Sequence, residues 1–371
     1  MRSARVDRGD LAFTLAVTVI ALLPRLFVAV AWAREPVWDG HYYHFGATRI
    51  AAGLGYSEDV MVAGHPVWKA WCHYPVGLSG LLGLVYKVFG SSIAVAPIVN
   101  ALLGALLVGV VHRLARLVLS ENRSRIAATI AALHPGLIAY SAVVMTEPLA
   151  ALLIAVAALV AGLSRPRWGG ALAAGAVLGL ATLVRPSTLL ALPLLAVMGG
   201  RPWWRAMALA AVASVAALVV VSPWTLRNCR VMDGCALVST NGGWNLAIGA
   251  VSDTGRFDTL RGSDGCPNVN GQVQQDRCWA AVGRARIAAD PWRWLALVPK
   301  KLGHTFDHES FAVEYLREAD PHSWPESRRV AGRGLLTSFH RLLLIGAARS
   351  AQRSGGVRPT ELFFVQPARL A

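Results

Sequence analysis

Long apolar segments constrain this chain more than any other feature of its sequence. The first runs from Leu11 to Trp32, and several more follow within the next two hundred residues. A helix needs about 20 predominantly apolar residues to cross a bilayer. The candidate spans are 11–32, 92–112, 126–144, 148–163, 169–184, 187–200 and 206–222. We therefore predict an all-α polytopic membrane protein whose transmembrane region occupies residues 11–222.

Composition agrees with this class. The chain has 371 residues, of which 55% are hydrophobic and only 15% are charged, whereas soluble domains carry about 25% charged residues. The first apolar segment is longer than the roughly 7–15 residues of a signal-peptide core, so we interpret it as an uncleaved span. The basic charge is mostly arginine, which is typical of a GC-rich bacterial genome and favours a bacterial inner-membrane protein.

Arginines between the apolar segments predict the orientation. They cluster before the first span and after the second, fourth and sixth spans: Arg2, Arg5, Arg8, Arg113, Arg116, Arg123, Arg125, Arg165, Arg167, Arg201 and Arg205. Short loops rich in Lys and Arg stay cytoplasmic. The net charge of +15 therefore reflects membrane topology, and we expect no nucleic-acid partner.

This orientation assigns the remaining regions. Residues 1–10 form a cytoplasmic tail, and an outer loop, 33–91, follows the first span. Its apolar segment 76–90 is too short to cross, so we predict an interfacial helix there. Residues 223–333 form a long extracytoplasmic region. Residues 334–371 contain a weak eighth span and a shortened tail.

All five cysteines fall in the predicted outer regions. Four of them, Cys229, Cys235, Cys266 and Cys278, lie in the long region, and Cys72 lies in the first loop. An oxidising compartment permits one or two disulfides among these cysteines. Three pairings of the four are possible, and free thiols remain an alternative.

The stretch EPVWDGHYYHFGATRIAAGLGYS, residues 35–57, follows the first span directly. Apolar positions from Tyr43 to Leu54 recur with helical spacing, which predicts an amphipathic helix on the membrane surface. Asp39 begins this helix and is either an ordinary N-cap or a carboxylate that accepts a proton from an acceptor hydroxyl. Glu35 competes for the second role.

Three more charged residues are predicted near the outer membrane face. Glu147 starts the fourth span, where a glutamate favours the helix dipole, but an isolated acid at membrane depth also indicates a functional site. Arg185 and Arg227 follow later spans, and each either binds phosphate through its planar guanidinium or snorkels to lipid headgroups. Arg25, within the first span, has the same two interpretations.

Metal and nucleotide sites find little support. His41 and His44, and likewise His304 and His308, lack a clear third ligand. We expect no required metal or other cofactor. The chain has no P-loop, dinucleotide-binding or nucleophile-elbow motif, which argues against a nucleotide-driven pump.

An ordered set of motifs resembles C-type glycosyltransferases (the GT-C fold), in the branch of protein O-mannosyltransferases and lipid A aminoarabinose transferases. The motifs are Asp39 with the surface helix ending in Gly-x-Gly-Tyr, HYPVGLSGLLGLVYKVFGSS, MTEPLA, LVRPSTLL, SPWTLRN and STNGGWNLAIGA. They cover roughly residues 11 to 305 in the order found in that family. Each motif is weak alone, but the ordered set is fairly specific.

The resemblance implies a polyprenyl-phosphate sugar donor and inverting transfer, on the outer face, to a protein, lipid or polysaccharide acceptor. It implies Asp39 as catalytic base, Glu147 as the second acid, and Arg185 and Arg227 as donor phosphate contacts. Tyr43, His73 and Lys69 are further candidate substrate contacts. Lys69 is displaced from the position of the family's lysine, and His73 stands where the family often has a proline-rich patch. The family also has more spans than this chain.

Two other functions remain open. A transporter or lipid flippase would carry paired broken helices in two related halves, and we find no such symmetry in the sequence. A shortened, inactive descendant that binds prenyl phosphate without transfer is the second alternative. The sequence identifies neither the sugar nor the acceptor.

Overall fold

The computed structural model describes residues 8–164, 167–191, 202–267, 269 and 271–353. Helices dominate these residues, which confirms the prediction of a helical membrane protein. In chain order they are α1 (Arg8–Ala31), α2 (Trp38–Ala51), α3 (Val76–Phe89), α4 (Val95–Ala115), α5 (Glu121–Ala132), α6 (Pro135–Ala139), α7 (Glu147–Leu163), α8 (Arg167–Val184), α9 (Trp203–Val231), α10 (Gly242–Val251), α11 (Gln272–Ala289), α12 (Pro291–Asp307), α13 (Phe311–Ala319) and α14 (Glu326–Arg353).

Four of the described helices, α1, α4, α8 and α9, are long and apolar enough to cross a membrane. Helices α3 and α7 are apolar but shorter. The chain is thus a multi-pass membrane protein. The predicted sixth span, 187–200, contributes only a 3₁₀ helix, Pro186–Ala191, and its remainder lies outside the described residues. So do residues 1–7 of the predicted cytoplasmic tail and residues 354–371 of the predicted C-terminal tail.

The predicted span 126–144 does not form one helix. Helix α5 ends at Ala132, and the short helix α6 starts at Pro135. Arg25 on α1 is fully buried and binds this break. Its Nη1 donates to the carbonyls of Ala21 (2.8 Å) and Ala132 (2.9 Å), and its Nη2 donates to Ala131 (3.1 Å). The guanidinium thereby satisfies carbonyls that the end of α5 leaves without helical partners, so Arg25 does not snorkel to headgroups.

Helices α8 and α9 pack through small residues. A Cβ atom added at Gly175 would clash with the Ala213 carbonyl, and one added at Gly179 would lie 2.7 Å from the Ala217 oxygen. Both pairs are spaced by four residues, so each helix presents a small-xxx-small pattern to the other. This pattern lets two backbones approach closely in a membrane, where dispersion replaces the hydrophobic effect as the source of association.

The predicted outer loop, 33–91, contains a two-stranded hairpin that was not predicted. Strand β1 (Ser57–Val62) pairs antiparallel with β2 (His65–Ala70). Arg49 of α2 holds the hairpin: its guanidinium binds both carboxylate oxygens of Asp59, at 2.6 and 2.9 Å, and its Nε donates to Ser57 Oγ at 3.0 Å. These contacts with the hairpin account for the burial of the Arg49 side chain.

The region after the last predicted span begins later than expected. Helix α9 continues through Pro223 to Val231. Two disulfides follow, Cys229–Cys235 and Cys266–Cys278, so the four cysteines pair in chain order. Cys72 is a buried free thiol. Each disulfide closes a short loop, one at the end of α9 and the other in front of and within α11.

The C-terminal helices return to the start of the chain. Val313 and Leu316 of α13 join a core cluster with Val28, in the last turn of α1. Arg34 binds Asp320 at 2.6 Å, at the end of this helix. Helix α14 begins before the predicted eighth span and is not among the helices long and apolar enough to cross a membrane.

Candidate active site

Asp39 lies in the first turn of α2, half-buried. Val37 occupies the N-cap position, so the capping interpretation of Asp39 is wrong. The helix begins at Trp38, two residues earlier than a cap at Asp39 requires, and the backbone of Trp38 takes a positive φ of 48°. The Asp39 carboxylate instead accepts a hydrogen bond from the Tyr74 hydroxyl at 2.6 Å. That bond ties α2 to the segment that leads into α3.

Glu147 and Arg185 form an ion pair across two helices. Glu147 opens α7, and Arg185 follows the last residue of α8. Arg185 Nη1 donates to Glu147 Oε1 at 2.7 Å and to Thr146 Oγ1 at 3.3 Å. The Arg185 side chain is 44% exposed, so its guanidinium is accessible from outside the protein. Glu147 Oε2 is buried and has no hydrogen-bond partner among the described residues.

Tyr43 links Asp39 to this ion pair. It is buried, and it lies one turn after Asp39 on α2. Burial raises the pKa of its phenol, the negative charges of Asp39 and Glu147 raise it further, and Arg185 opposes them. Tyr43 also shares a core cluster with Val184, the neighbour of Arg185. Its ring lies 5.4 Å from that of Tyr74, the hydrogen-bond partner of Asp39. We call Asp39, Tyr43, Glu147 and Arg185 the acidic cluster.

Tyr74 and Tyr315 are two members of this region that the sequence analysis missed. The Tyr315 ring, on α13, meets Trp38 edge-to-face at 4.8 Å. Burial and the nearby Asp39 charge raise the pKa values of both the Tyr74 and the Tyr315 phenols. The helical spacing of apolar residues in α13 could have predicted that this helix packs on the protein. Nothing in the sequence indicates which surface it packs against.

Glu35, the predicted competitor for the base, is exposed in the segment before α2. Burial lowers the pKa of His44, and the Glu35 charge partly opposes this shift. The Glu35 carboxylate is therefore near enough to His44 to favour its charged form. His44 Nδ1 is 2.8 Å from the Tyr86 hydroxyl, on α3, and His41 stacks on Phe45. These contacts account structurally for both histidines of the surface helix.

Arg227 has a different environment from Arg185. Its guanidinium donates to the carbonyls of Tyr56 (2.6 Å) and Trp71 (3.1 Å) and lies 4.7 Å from the centre of the Trp224 ring. These bonds hold the two ends of the hairpin segment against α9. Arg227 is therefore placed to position the backbone leading to His73 and Tyr74.

Lys69 and His73 line a separate cavity of about 180 Å³, together with Trp244, Gln272 and others. The His73 ring contacts both Tyr74 (5.2 Å) and Trp244 (5.9 Å) edge-to-face. Burial lowers the pKa of His73, while Asp276 and Asp39 act in the opposite direction. His73 therefore stands between this cavity and the acidic cluster. In the described ranges, no group of three His, Cys, Asp or Glu side chains is arranged to hold a metal ion.

Comparison with known proteins gives three findings. Residues 73–226 match the family model described as dolichyl-phosphate-mannose-protein mannosyltransferase. No curated protein sequence matches the chain. Among solved structures, the chain is similar to an oligosaccharyltransferase from Archaeoglobus fulgidus tethered to an acceptor peptide containing an NVT sequon, with 14% identity and a TM-score of 0.46 over 78% of this chain.

A second solved structure is AglB, an oligosaccharyltransferase from the same archaeon, in complex with an inhibitory peptide and a dolichol-phosphate. It has 14% identity and a TM-score of 0.46 over 89% of this chain. The matched part covers only 35% and 39% of the two archaeal chains. The family match includes His73, Glu147 and Arg185, and it confirms, over residues 73–226, the resemblance to the protein mannosyltransferase group that the sequence predicted.

Proposed function

We propose that this protein transfers a sugar from a polyprenyl-phosphate donor to an acceptor hydroxyl at the extracytoplasmic membrane face. The observation that carries the proposal is the acidic cluster. Tyr43 packs in one core cluster with Val184, the neighbour of Arg185, and its ring meets that of Tyr74, which binds Asp39. This arrangement occurs in a chain whose central segment matches the dolichyl-phosphate-mannose-protein mannosyltransferase family model.

In this proposal Asp39 is the catalytic base. The acceptor oxygen attacks the anomeric carbon of the sugar while Asp39 takes its proton. The bond between that carbon and the phosphate oxygen breaks, and polyprenyl phosphate leaves with the bonding electrons. A single displacement of this kind inverts the anomeric centre. The hydrogen bond from Tyr74, at 2.6 Å, fixes the direction of the carboxylate.

Arg185 is the proposed contact for the donor phosphate. Negative charge builds on the phosphate as it leaves, and a guanidinium placed beforehand stabilises that charge. The bond to Glu147 orients Arg185, so Glu147 is a positioning residue. The resemblance predicts that Arg227 also contacts the donor phosphate. Its hydrogen bonds to backbone carbonyls favour a structural role.

The test is sugar transfer by the full chain in nanodiscs, with radiolabelled polyprenyl-phosphate mannose as donor and peptide, lipid and polysaccharide acceptors. Removal of a general base costs about 10²–10⁴-fold in rate, so we expect Asp39→Asn to lose transfer while it still binds donor. Asp258→Asn, in an exposed loop, is the matched control. Wild-type transfer by Asp39→Asn would reject Asp39 as the base.

Arg185 variants separate the two charged roles. We expect Arg185→Gln to weaken both donor binding and turnover, and Arg185→Lys to recover part of both, because lysine keeps the charge but lacks the planar fork. Glu147→Gln should lower turnover less than Arg185→Gln does. Binding of the mannose donor by the wild type, without transfer to any of the three acceptor classes, would indicate an inactive descendant. Movement of the labelled donor across the bilayer would indicate a flippase.

A further inference from the structure

Helix α12 packs on the protein through a polar face. Arg293 donates to the carbonyls of Ala250 (2.9 Å) and Val251 (3.1 Å), which end α10. One side of the helix continues this contact: Lys301 Nζ donates to the Gly249 carbonyl at 2.8 Å, and Leu297 is buried. The basic residues of α12 therefore serve partly to hold the helix against α10.

The opposite face of α12 is apolar and exposed. It consists of Trp292 (79% exposed), Leu295 (47%), Leu302 (54%) and Phe306 (54%). Each residue of an α-helix turns by about 100°, so these four side chains fall within an arc of about 80°. The centre of that arc lies opposite the packed face. An apolar stripe of this kind, with basic residues beside it, is typical of a helix that lies in a membrane interface.

The position of α12 in the fold agrees with this. The helix ends at Asp307, and α13 starts four residues later at Phe311. Helix α13 packs against Val28, in the last turn of the spanning helix α1. Only a few residues therefore separate the C-terminal end of α12 from the helix that packs on the end of the apolar segment of α1.

A basic crevice of about 710 Å³ opens beside the stripe. Its lining consists of Thr254, Arg256, Lys300, Gly303, His304, Phe306, Asp307 and Arg341. Arg341 binds Asp307 at 3.0 Å, so one cation in the lining is neutralised. Arg256 and Lys300 remain as positive charge, with Arg256 Nε 3.4 Å from His304 Nδ1. Phe306 belongs to both the crevice and the stripe.

We propose that α12 binds the surface of an anionic lipid bilayer, with the apolar stripe among the acyl chains and a lipid phosphate in the basic crevice. Apolar burial supplies membrane affinity, and the cations select anionic over zwitterionic headgroups. The protein is already anchored in a membrane, so a bilayer is held close to α12 at high effective concentration. The site is separate from the acidic cluster and does not depend on sugar transfer.

Site-specific fluorescence on the full chain tests the stripe. Leu302→Cys and Thr305→Cys, each in a Cys72→Ser background, are labelled with the environment-sensitive dye NBD in nanodiscs. Thr305 is the matched control because it is exposed on the same helix but about 100° from the centre of the stripe. We expect acyl-chain spin-labelled lipid to quench the dye at Leu302 severalfold more strongly than at Thr305.

Lipid composition tests the crevice. Replacing part of the phosphatidylcholine with phosphatidylglycerol should blue-shift and strengthen the signal at Leu302. The pair Arg256→Gln and Lys300→Gln should weaken the preference for phosphatidylglycerol about fivefold for each charge removed. The pair Arg284→Gln and Arg286→Gln, on exposed positions of α11, should leave that preference unchanged.

Three results would overturn the proposal. The first is equal quenching at both dye positions. The second is shielding of Leu302 that appears only as the protein-to-lipid ratio rises, which would assign the stripe to a second copy of the chain. The third is that inorganic phosphate, added to phosphatidylcholine nanodiscs, changes the dye signal at Leu302 as much as phosphatidylglycerol does. That result would assign the crevice to a soluble anion.

Discussion

Replacing Arg25 with Met tests whether a buried arginine stabilises the break between α5 and α6. Methionine keeps the unbranched stem but removes the donors that Ala131 and Ala132 receive at 3.1 and 2.9 Å. Each buried carbonyl left without a partner costs about 1–3 kcal/mol, which gives about 2–6 kcal/mol for the two. Unfolded helices in a micelle also find partners, so we expect a loss of about 2 kcal/mol, near the lower end of this range.

The assay is unfolding of the purified protein in mixed micelles of increasing SDS content, followed by tryptophan fluorescence. Arg125→Met is the control, because Arg125 lies on the same helix pair but forms a half-exposed ion pair with Glu121, which is worth about 0–1 kcal/mol. Hydrogen exchange at the C-terminal end of α5 should rise in Arg25→Met alone. Equal stability of the two variants, with unchanged exchange, would refute the capping role of Arg25.

Three further predictions follow from single contacts. Gly175→Val should separate α8 from α9, because the valine side chain would meet the Ala213 backbone. The SDS content at the midpoint of unfolding should fall, and an unchanged midpoint would contradict the prediction. Hydrogen bonds to Arg49 lower the pKa of Asp59, so the contact should hold the hairpin at neutral pH and be lost as the pH falls through that lowered pKa. The protection factor at β1, corrected for the intrinsic pH dependence of amide exchange, should fall with acidification in the wild type and be independent of pH in Asp59→Asn. Burial raises the pKa of the Cys72 thiol to about 11. Iodoacetamide at about pH 8 should therefore leave the folded protein unmodified and add one group per chain to the protein unfolded in SDS. Labelling of the native state would place the thiol at the surface.

The sequence predicted the elements of the site better than their ends. The apolar spacing from Tyr43 predicted helix α2, because periodicity records which face packs, but the helix ends at Ala51 and Leu54 of the predicted stripe is exposed. It did not predict where the helix starts, because the path of the preceding loop decides whether Val37 or Asp39 takes the N-cap position. That loop is held by Arg34, whose partner Asp320 is nearly three hundred residues away. Local patterns contain no information about such a contact.

The break after α5 shows the same difficulty in a segment that was predicted to span the membrane. An apolar segment long enough to span predicts one helix, and 126–144 satisfied that criterion. A helix can end inside a bundle only if another group binds its final carbonyls. Arg25 does so from α1. The sequence indicated both the segment and the arginine, but not that they meet.

Sequence alone determined that the chain is a helical multi-pass membrane protein, because apolar length and charge placement are properties of each segment by itself. It also indicated Asp39, Glu147 and Arg185 individually as candidate site residues. Only the tertiary structure decided that Arg185 binds Glu147, that Tyr74 binds Asp39 and meets Tyr43, and that Arg227 binds backbone carbonyls. Each of these facts depends on which helices touch, and that is settled by packing across the whole chain.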